Sequence, residues 1–188
     1  MALAYSQPGE LGSQAPEFSL PGVDGKTYRL RDFHESGDVK ALVVVFMCNH
    51  CPYVVATQGR INALAKEYAS RGVRLVGINS NDFVKYPDDS FDAMKKRAKE
   101  QGYVFPYLRD ETQEVAKAYG AVCTPDFFVY ENAGGEFVLR YRGRLDDNWK
   151  DESAVKRRDL ALALDEILSG RAPNPDQPSS MGCSIKWK

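Results

Sequence analysis

The stretch ALVVVFMCNHCPY, residues 41–53, joins an unbroken apolar run to two cysteines three positions apart. Residues 41–47 are apolar throughout and β-branched at their centre, the pattern of a central strand covered on both faces. Pro52 follows the second cysteine, and proline is tolerated in a first helical turn, so a helix should begin near Cys51 and Pro52. Its inner face would carry Val54, Ile61, Leu64, Ala65 and Tyr68, with Gly72 where a C′ glycine ends a helix. Cys48 therefore stands at the end of a strand and Cys51 in the first turn of a helix.

The flanking sequence builds an α/β domain around this unit. YRL after DGK predicts an N-terminal hairpin turning at Asp24 and Gly25. VRLVGINS is a second buried strand, and Ser90 caps a charged helix closed by Gly102. TQEVAKAYG is a short helix stopped by Gly120, and DFFVYE and EFVLRYRG form a hairpin through residues 132–135. Residues 151–170 read as a last amphipathic helix with Leu160, Leu164, Ile167 and Leu168 inward. This order implies a mixed sheet between helix layers, a domain over residues 1–170 and a proline-rich tail over 171–188.

The chain has 188 residues and a net charge of -1, which suits one domain and gives no cationic surface for nucleic acid or an anionic membrane. Its longest apolar run, residues 41–48, is far too short to span a bilayer. The first residues lack a basic segment followed by an apolar one, so a cytoplasmic location is expected, where thiols are mostly kept reduced. Cys48, Cys51, Cys123 and Cys183 then read as reactive, metal-binding or buried thiols.

Three readings of the Cys-x-x-Cys pair are open. In the first, the unpaired N–H groups at the helix start stabilise a Cys48 thiolate, lowering its pKa from about 8.5 into a range of roughly 3.5–7.5. Cys51 closes a disulfide one turn on, and protonated His50 favours the thiolate and makes the disulfide a better oxidant. Cys48 is expected to be the exposed, fast-reacting thiol. In the second, Cys48, Cys51 and His50 hold a soft metal ion such as copper, although His34 and His50 are the only histidines and no second Cys-x-x-Cys exists to close a structural zinc site. In the third, both cysteines are inert core residues.

Several segments together, SQAPEFSLPGVDGKTYRLRDF, the strand into CNHCP, FPYLRDETQEVAKAYGAVCTPDFFVY and YRGRLDD, resemble the redoxin branch of the thioredoxin superfamily, which holds the alkyl hydroperoxide reductase/thiol-specific antioxidant proteins. GINSND followed by YPDDS, and the terminal GCSIKW, are similar to a peroxiredoxin-like subgroup carrying Cys-x-x-Cys. The resemblance implies a thioredoxin fold, a central mixed β-sheet flanked by helices with an N-terminal β-hairpin extension. It implies a thiol–disulfide oxidoreductase without organic cofactor, acting on protein or low-molecular-weight disulfides. By position Cys48 attacks, Cys51 resolves, and Thr124-Pro125 matches the superfamily's cis-proline site beside the sulfur, where substrate binds. Peroxide reduction is the enzymatic alternative, yet the pattern Pro-x-x-x-Thr-x-x-Cys is absent. Counted back from Cys51 its places hold Val44 and Cys48, and from Cys48 they hold Ala41 and Val45. The buried acid that thioredoxins keep on the preceding strand has no counterpart in residues 41–47.

Other residues carry weaker signals. Asn81 and Asp82 end a strand where ligands of α/β sheets tend to sit, but a turn-forming Asn-Asp is the commoner explanation. Cys123 is either a third redox thiol or a buried neighbour. Arg142, Arg144, Asp146 and Asp147 read as a solvated hairpin edge. The tail is expected to dock on its own domain through Ile185 and Trp187, with Cys183 either a bystander or a thiol that exchanges with the Cys48–Cys51 pair.

Overall fold

A computed structural model describes residues 2–35 and 37–188. The chain runs β1 (Leu3–Tyr5), β2 (Ser19–Pro21), β3 (Thr27–Arg29), α1 (Leu30–Glu35), β4 (Ala41–Phe46), α2 (Pro52–Ala69), β5 (Val73–Asn79), α3 (Phe91–Gln101), β6 (Tyr107–Arg109), α4 (Glu114–Tyr119), β7 (Cys123–Thr124), β8 (Asp126–Ala133), β9 (Glu136–Gly143), α5 (Asp159–Leu168) and β10 (Met181–Ser184). The apolar run became β4, the middle strand of a mixed sheet ordered β6-β5-β4-β8-β9. It is parallel to β5 and antiparallel to β8. All six of its residues are buried, because successive side chains feed two different cores. Val43 and Val45 join Ile61 and Leu64 of α2 and Leu160 and Leu164 of α5. Leu42, Val44 and Phe46 join Phe33 of α1, Tyr119 of α4 and Phe128.

Most expected elements are present. β2 and β3 form the N-terminal hairpin, and β8 and β9 the later one. Ser90 Oγ accepts the Ala93 N–H at 3.3 Å and caps α3, and Gly102 ends it in the left-handed region at φ 59°. On α2 the buried face holds Val54, Ile61, Leu64 and Tyr68 as the spacing predicts, with Ala65 only partly covered. No helix among the described residues is long and apolar enough to cross a membrane.

Three expectations need correction. The last helix starts at Asp159, not at residue 151. Asp151 caps a single 3-10 turn at Glu152–Ala154, and Val155 is already extended. Asp147 then holds the following segment straight, its carboxylate accepting the Lys156 N–H at 2.9 Å and its own N–H donating to the Arg157 carbonyl at 3.1 Å. The supposed solvated edge is largely buried ion pairs: Arg142 with Asp126 at 3.1 Å, Arg144 with Asp159 at 2.7 Å, and Asp146 with Arg60. The tail is anchored by Ile185, buried to 3% exposure, whereas Trp187 remains 39% exposed. Residues 181–184 are a strand that lies between β1 and β7, so the tail is built into a second, three-stranded sheet.

Candidate active site

β4 delivers Met47 and Cys48 beyond its last paired residue, and the Met47 N–H still bonds the Ile78 carbonyl at 2.9 Å. Cys51 is the N-cap residue of α2, with Pro52 at the first helical position. The chain must therefore bend sharply across CNHC, and Asn49 holds the bend. Its N–H donates to Asp89 Oδ1 at 2.7 Å, its amide nitrogen to the Asp88 carbonyl at 2.8 Å, and its carbonyl accepts Arg97 at 2.7 Å. The Thr124–Pro125 peptide is cis, as the resemblance implied. It brings both sides of Thr124 to the sulfurs: Cys51 Sγ donates to the Thr124 carbonyl at 3.0 Å, and Cys48 Sγ lies 3.4 Å from Thr124 Oγ1.

Cys48 and Cys51 are free thiols, 1% and 0% exposed, so the expectation of an exposed Cys48 does not hold in this state. Cys48 packs in the core that also takes Val54 and Cys183. The pair titrates as a unit. The hydrogen bond from Cys48, against the cost of burial and with help from Cys183, Thr124 and the Val54 N–H, pulls Cys51 down to about 5. The same bond to Cys51, burial and the charge of Asp89 push Cys48 well up. The pair thus favours one negative charge, drawn toward Cys51 first of all by the hydrogen bond that Cys48 donates, with the Val54 N–H at the helix start adding to it.

A buried acid does lie beside the pair, though not on β4. Asp89, fully buried in the 3-10 turn at Pro87–Asp89, lies 2.7 Å from His50 Nδ1. It accepts Asn79 Nδ2 at 3.2 Å and Asn81 Nδ2 at 2.8 Å besides the Asn49 N–H. Burial pushes its carboxyl up, but the bonds from His50, Asn81 and Asn49 outweigh this and leave it below its ordinary value. In return the Asp89 bond raises His50 against the opposing effect of burial. His50 also stacks on Tyr86, with ring centroids 5.5 Å apart and planes 3° from parallel. One ligand atom from each of Cys48, His50 and Asp89 lies within 4.8 Å of the other two.

Of the residues singled out from sequence, Cys48, Cys51, His50, Thr124 and Pro125 come together. Cys183 joins them through a hydrogen bond to Cys51. Cys123 lies at the same strand but turns away: its thiol donates to the Pro125 carbonyl at 3.6 Å, and burial above all pushes its pKa far up. Asn81 holds Asp89, and Asp82 caps its own turn through the Val84 N–H at 3.0 Å. Asp89 is hard to single out in sequence, because an aspartate just before a capped helix needs no further role. The signal that pointed to it was the pair of asparagines in GINSND, two amide donors at a buried strand end that require an acceptor.

Residues 11–141 match the model of the AhpC/TSA family. The chain belongs to the AhpC/TSA family. The thiol-disulfide oxidoreductase ResA of Bacillus thuringiensis subsp. konkukian (strain 97-27) is 26% identical over 125 residues, covering 66% of this chain and 66% of that protein. The chain thus spans just under two thirds of the length of this curated relative. Among solved structures, an uncharacterized conserved protein from Geobacillus kaustophilus superposes with a TM-score of 0.91 at 46% identity, covering 100% of this chain and 97% of that one. A thiol:disulfide interchange protein of the thioredoxin family from Chlorobium tepidum TLS gives 0.54 at 27% identity, covering 65% and 81%. The fold is the thioredoxin fold, a mixed sheet flanked by helices.

Proposed function

We propose that the protein is a thiol–disulfide oxidoreductase in which Cys48 and Cys51 are the redox couple. The observation that carries this reading is the pair itself, two hydrogen-bonded sulfurs at a helix N-terminus, one of them acidified, both against Thr124 of a cis-proline loop. A proton passing from Cys48 to Cys51 across their shared bond leaves the Cys48 thiolate facing His50. That thiolate attacks one sulfur of a substrate disulfide, and the other substrate sulfur departs as a thiolate and takes up a proton. Cys51, losing its proton, attacks the Cys48 sulfur of the mixed disulfide. The second substrate thiol leaves, and the Cys48–Cys51 disulfide has given up two electrons. His50, whose pKa the contact with Asp89 raises, supplies in its protonated form positive charge beside the developing thiolates and a proton for the leaving one. Run backwards, the same steps oxidise a dithiol.

The family name alone carries peroxide reduction. A soft-metal reading is favoured by one observation, the convergence of Cys48, His50 and Asp89 ligand atoms. Against it, both Asp89 oxygens are already engaged by N–H donors. Trapping separates the readings. A Cys51→Ser variant given a disulfide substrate should accumulate a mixed disulfide on Cys48, and a Cys48→Ser variant should not turn over. Equal turnover by the Cys48→Ser variant would sink the assignment.

A further inference from the structure

Any polypeptide disulfide that docks beside these sulfurs by adding a strand needs a free strand edge there, since main-chain hydrogen bonds supply most of the affinity of such docking. The nearest edge is β7, the two residues before Pro125, and β10 already holds it. Cys183 lies opposite Thr124 and Ser184 opposite Cys123 in antiparallel register, and the Ile185 N–H continues the ladder to the Val122 carbonyl at 3.1 Å. The far edge of β10 is closed by β1, with Leu3 opposite Cys183 and the Ser184 N–H on the Ala2 carbonyl at 2.9 Å.

The strand is fastened at both ends. Before it, the Ser180 N–H donates to Ser6 Oγ at 2.8 Å and Ser180 Oγ to the Gly143 carbonyl at 2.6 Å. After it, the Lys186 N–H donates to Asn81 Oδ1 at 2.9 Å and the Lys186 carbonyl accepts Gln113 Nε2 at 2.8 Å. Gly182 passes so close to β7 that a Cβ there would sit 2.0 Å from the Thr124 carbonyl oxygen. Cys183 rests against Cys51 in the same core. The tail therefore occupies, with its own backbone and its own thiol, the place a cysteine-bearing peptide would take. What stays open beside His50 is a recess of about 430 Å³ lined by Asn49, His50, Asp88, Lys96, Arg97 and Glu100. That volume suits a small molecule and offers charges of both signs.

We propose that β10 is a built-in occupant of the peptide-docking edge, and that the enzyme consequently acts on low-molecular-weight disulfides in preference to polypeptide ones. This rests on the redox reading of Cys48 and Cys51 given above. The balance is that of one exchange cycle: a small disulfide and the Cys48–Cys51 dithiol give two small thiols and the enzyme disulfide, two electrons and two protons passing to the substrate.

The test compares kcat/KM of the full chain for hydroxyethyl disulfide, for cystine and for an unstructured peptide pair joined by one disulfide. The small disulfides should be favoured by about tenfold or more. Gly182→Ala, which drives β10 from β7, should raise the ratio of peptide turnover to hydroxyethyl disulfide turnover, whatever it does to the absolute rates, with amide exchange at Cys183 and Ile185 reporting the displacement. If Gly182→Ala fails to fold, the preference of the unmodified chain still decides. Equal turnover of peptide and small disulfides by the unmodified chain overturns the proposal, as does a displaced β10 with the preference intact. Turnover of none of the three overturns the redox reading itself, a result distinguishable from either.

Discussion

Asp89 takes His50, the amides of Asn79 and Asn81 and the Asn49 N–H on one buried carboxylate, and so holds the bend of CNHC and raises the pKa of the histidine. The signs of the two shifts define a pH window. His50, raised on folding, adds stability that is complete below its unfolded value of 6.5 and lost as pH rises through the folded one. Asp89, lowered on folding, adds stability that is complete above its unfolded value of 3.8 and lost as pH falls through the folded one. Denaturation midpoints followed against pH should therefore fall away on both sides of this window. Asp89→Asn should flatten both limbs and lower the pKa of His50 in an NMR titration, and an unshifted His50 would mean the contact carries no charge interaction. His50→Ala should raise the first ionisation of the cysteine pair, otherwise near 5, and make the disulfide a weaker oxidant. Thiolate absorbance against pH and a dithiol-buffer redox titration measure the two effects, and an unchanged potential would remove His50 from the electrostatics.

At the scale of elements, what was legible was what is local. The inward face of α2, the Ser90 cap and the two hairpins follow from spacing and turn residues within a few positions of each other. Ser90→Ala should cost about 1 kcal/mol, a fall in Tm of roughly 2–4 °C, because one N–H at the start of α3 loses its acceptor. A Tm unchanged by the substitution would show that water replaces the cap. The N-terminal limit of α5 is not legible in sequence because residues 151–158 keep helical composition, while Asp147, outside the segment, binds the Lys156 N–H and the Arg157 carbonyl and holds the backbone straight. β1 and β10 carry three and four residues, and each finds its partner at the opposite end of the chain, a pairing that no local pattern encodes. Ile185→Ala should cost about 2–5 kcal/mol, since the buried side chain pins the end of β10. Chemical denaturation measures it, and a loss under 1 kcal/mol would mean the backbone ladder alone holds the strand.

Across the whole molecule, the site is assembled from four distant stretches: the bend after β4, the 3-10 turn before α3, the cis-proline loop and the C-terminal strand. The cysteines, His50 and Thr124-Pro125 were legible because their chemistry is visible in residue type and order. Cys183 was legible as a thiol able to reach the pair, but not as part of a strand beside it, and Asp89 was not legible at all, because an aspartate before a helix acquires its role only when the fold brings it to the bend. The sealing of β7 was equally invisible, since it depends on the tail crossing the molecule to reach Val122 and Thr124. The central claim is that Cys48 and Cys51 form one two-electron couple. The most direct test is an anaerobic redox titration of the full chain, with metal content measured on the same sample and the oxidised protein digested for mass spectrometry. A single two-electron transition, a Cys48–Cys51 linked peptide and no bound metal is the expected result. A stoichiometric metal ion with no such peptide, or a disulfide that leaves Cys48 out, would contradict it.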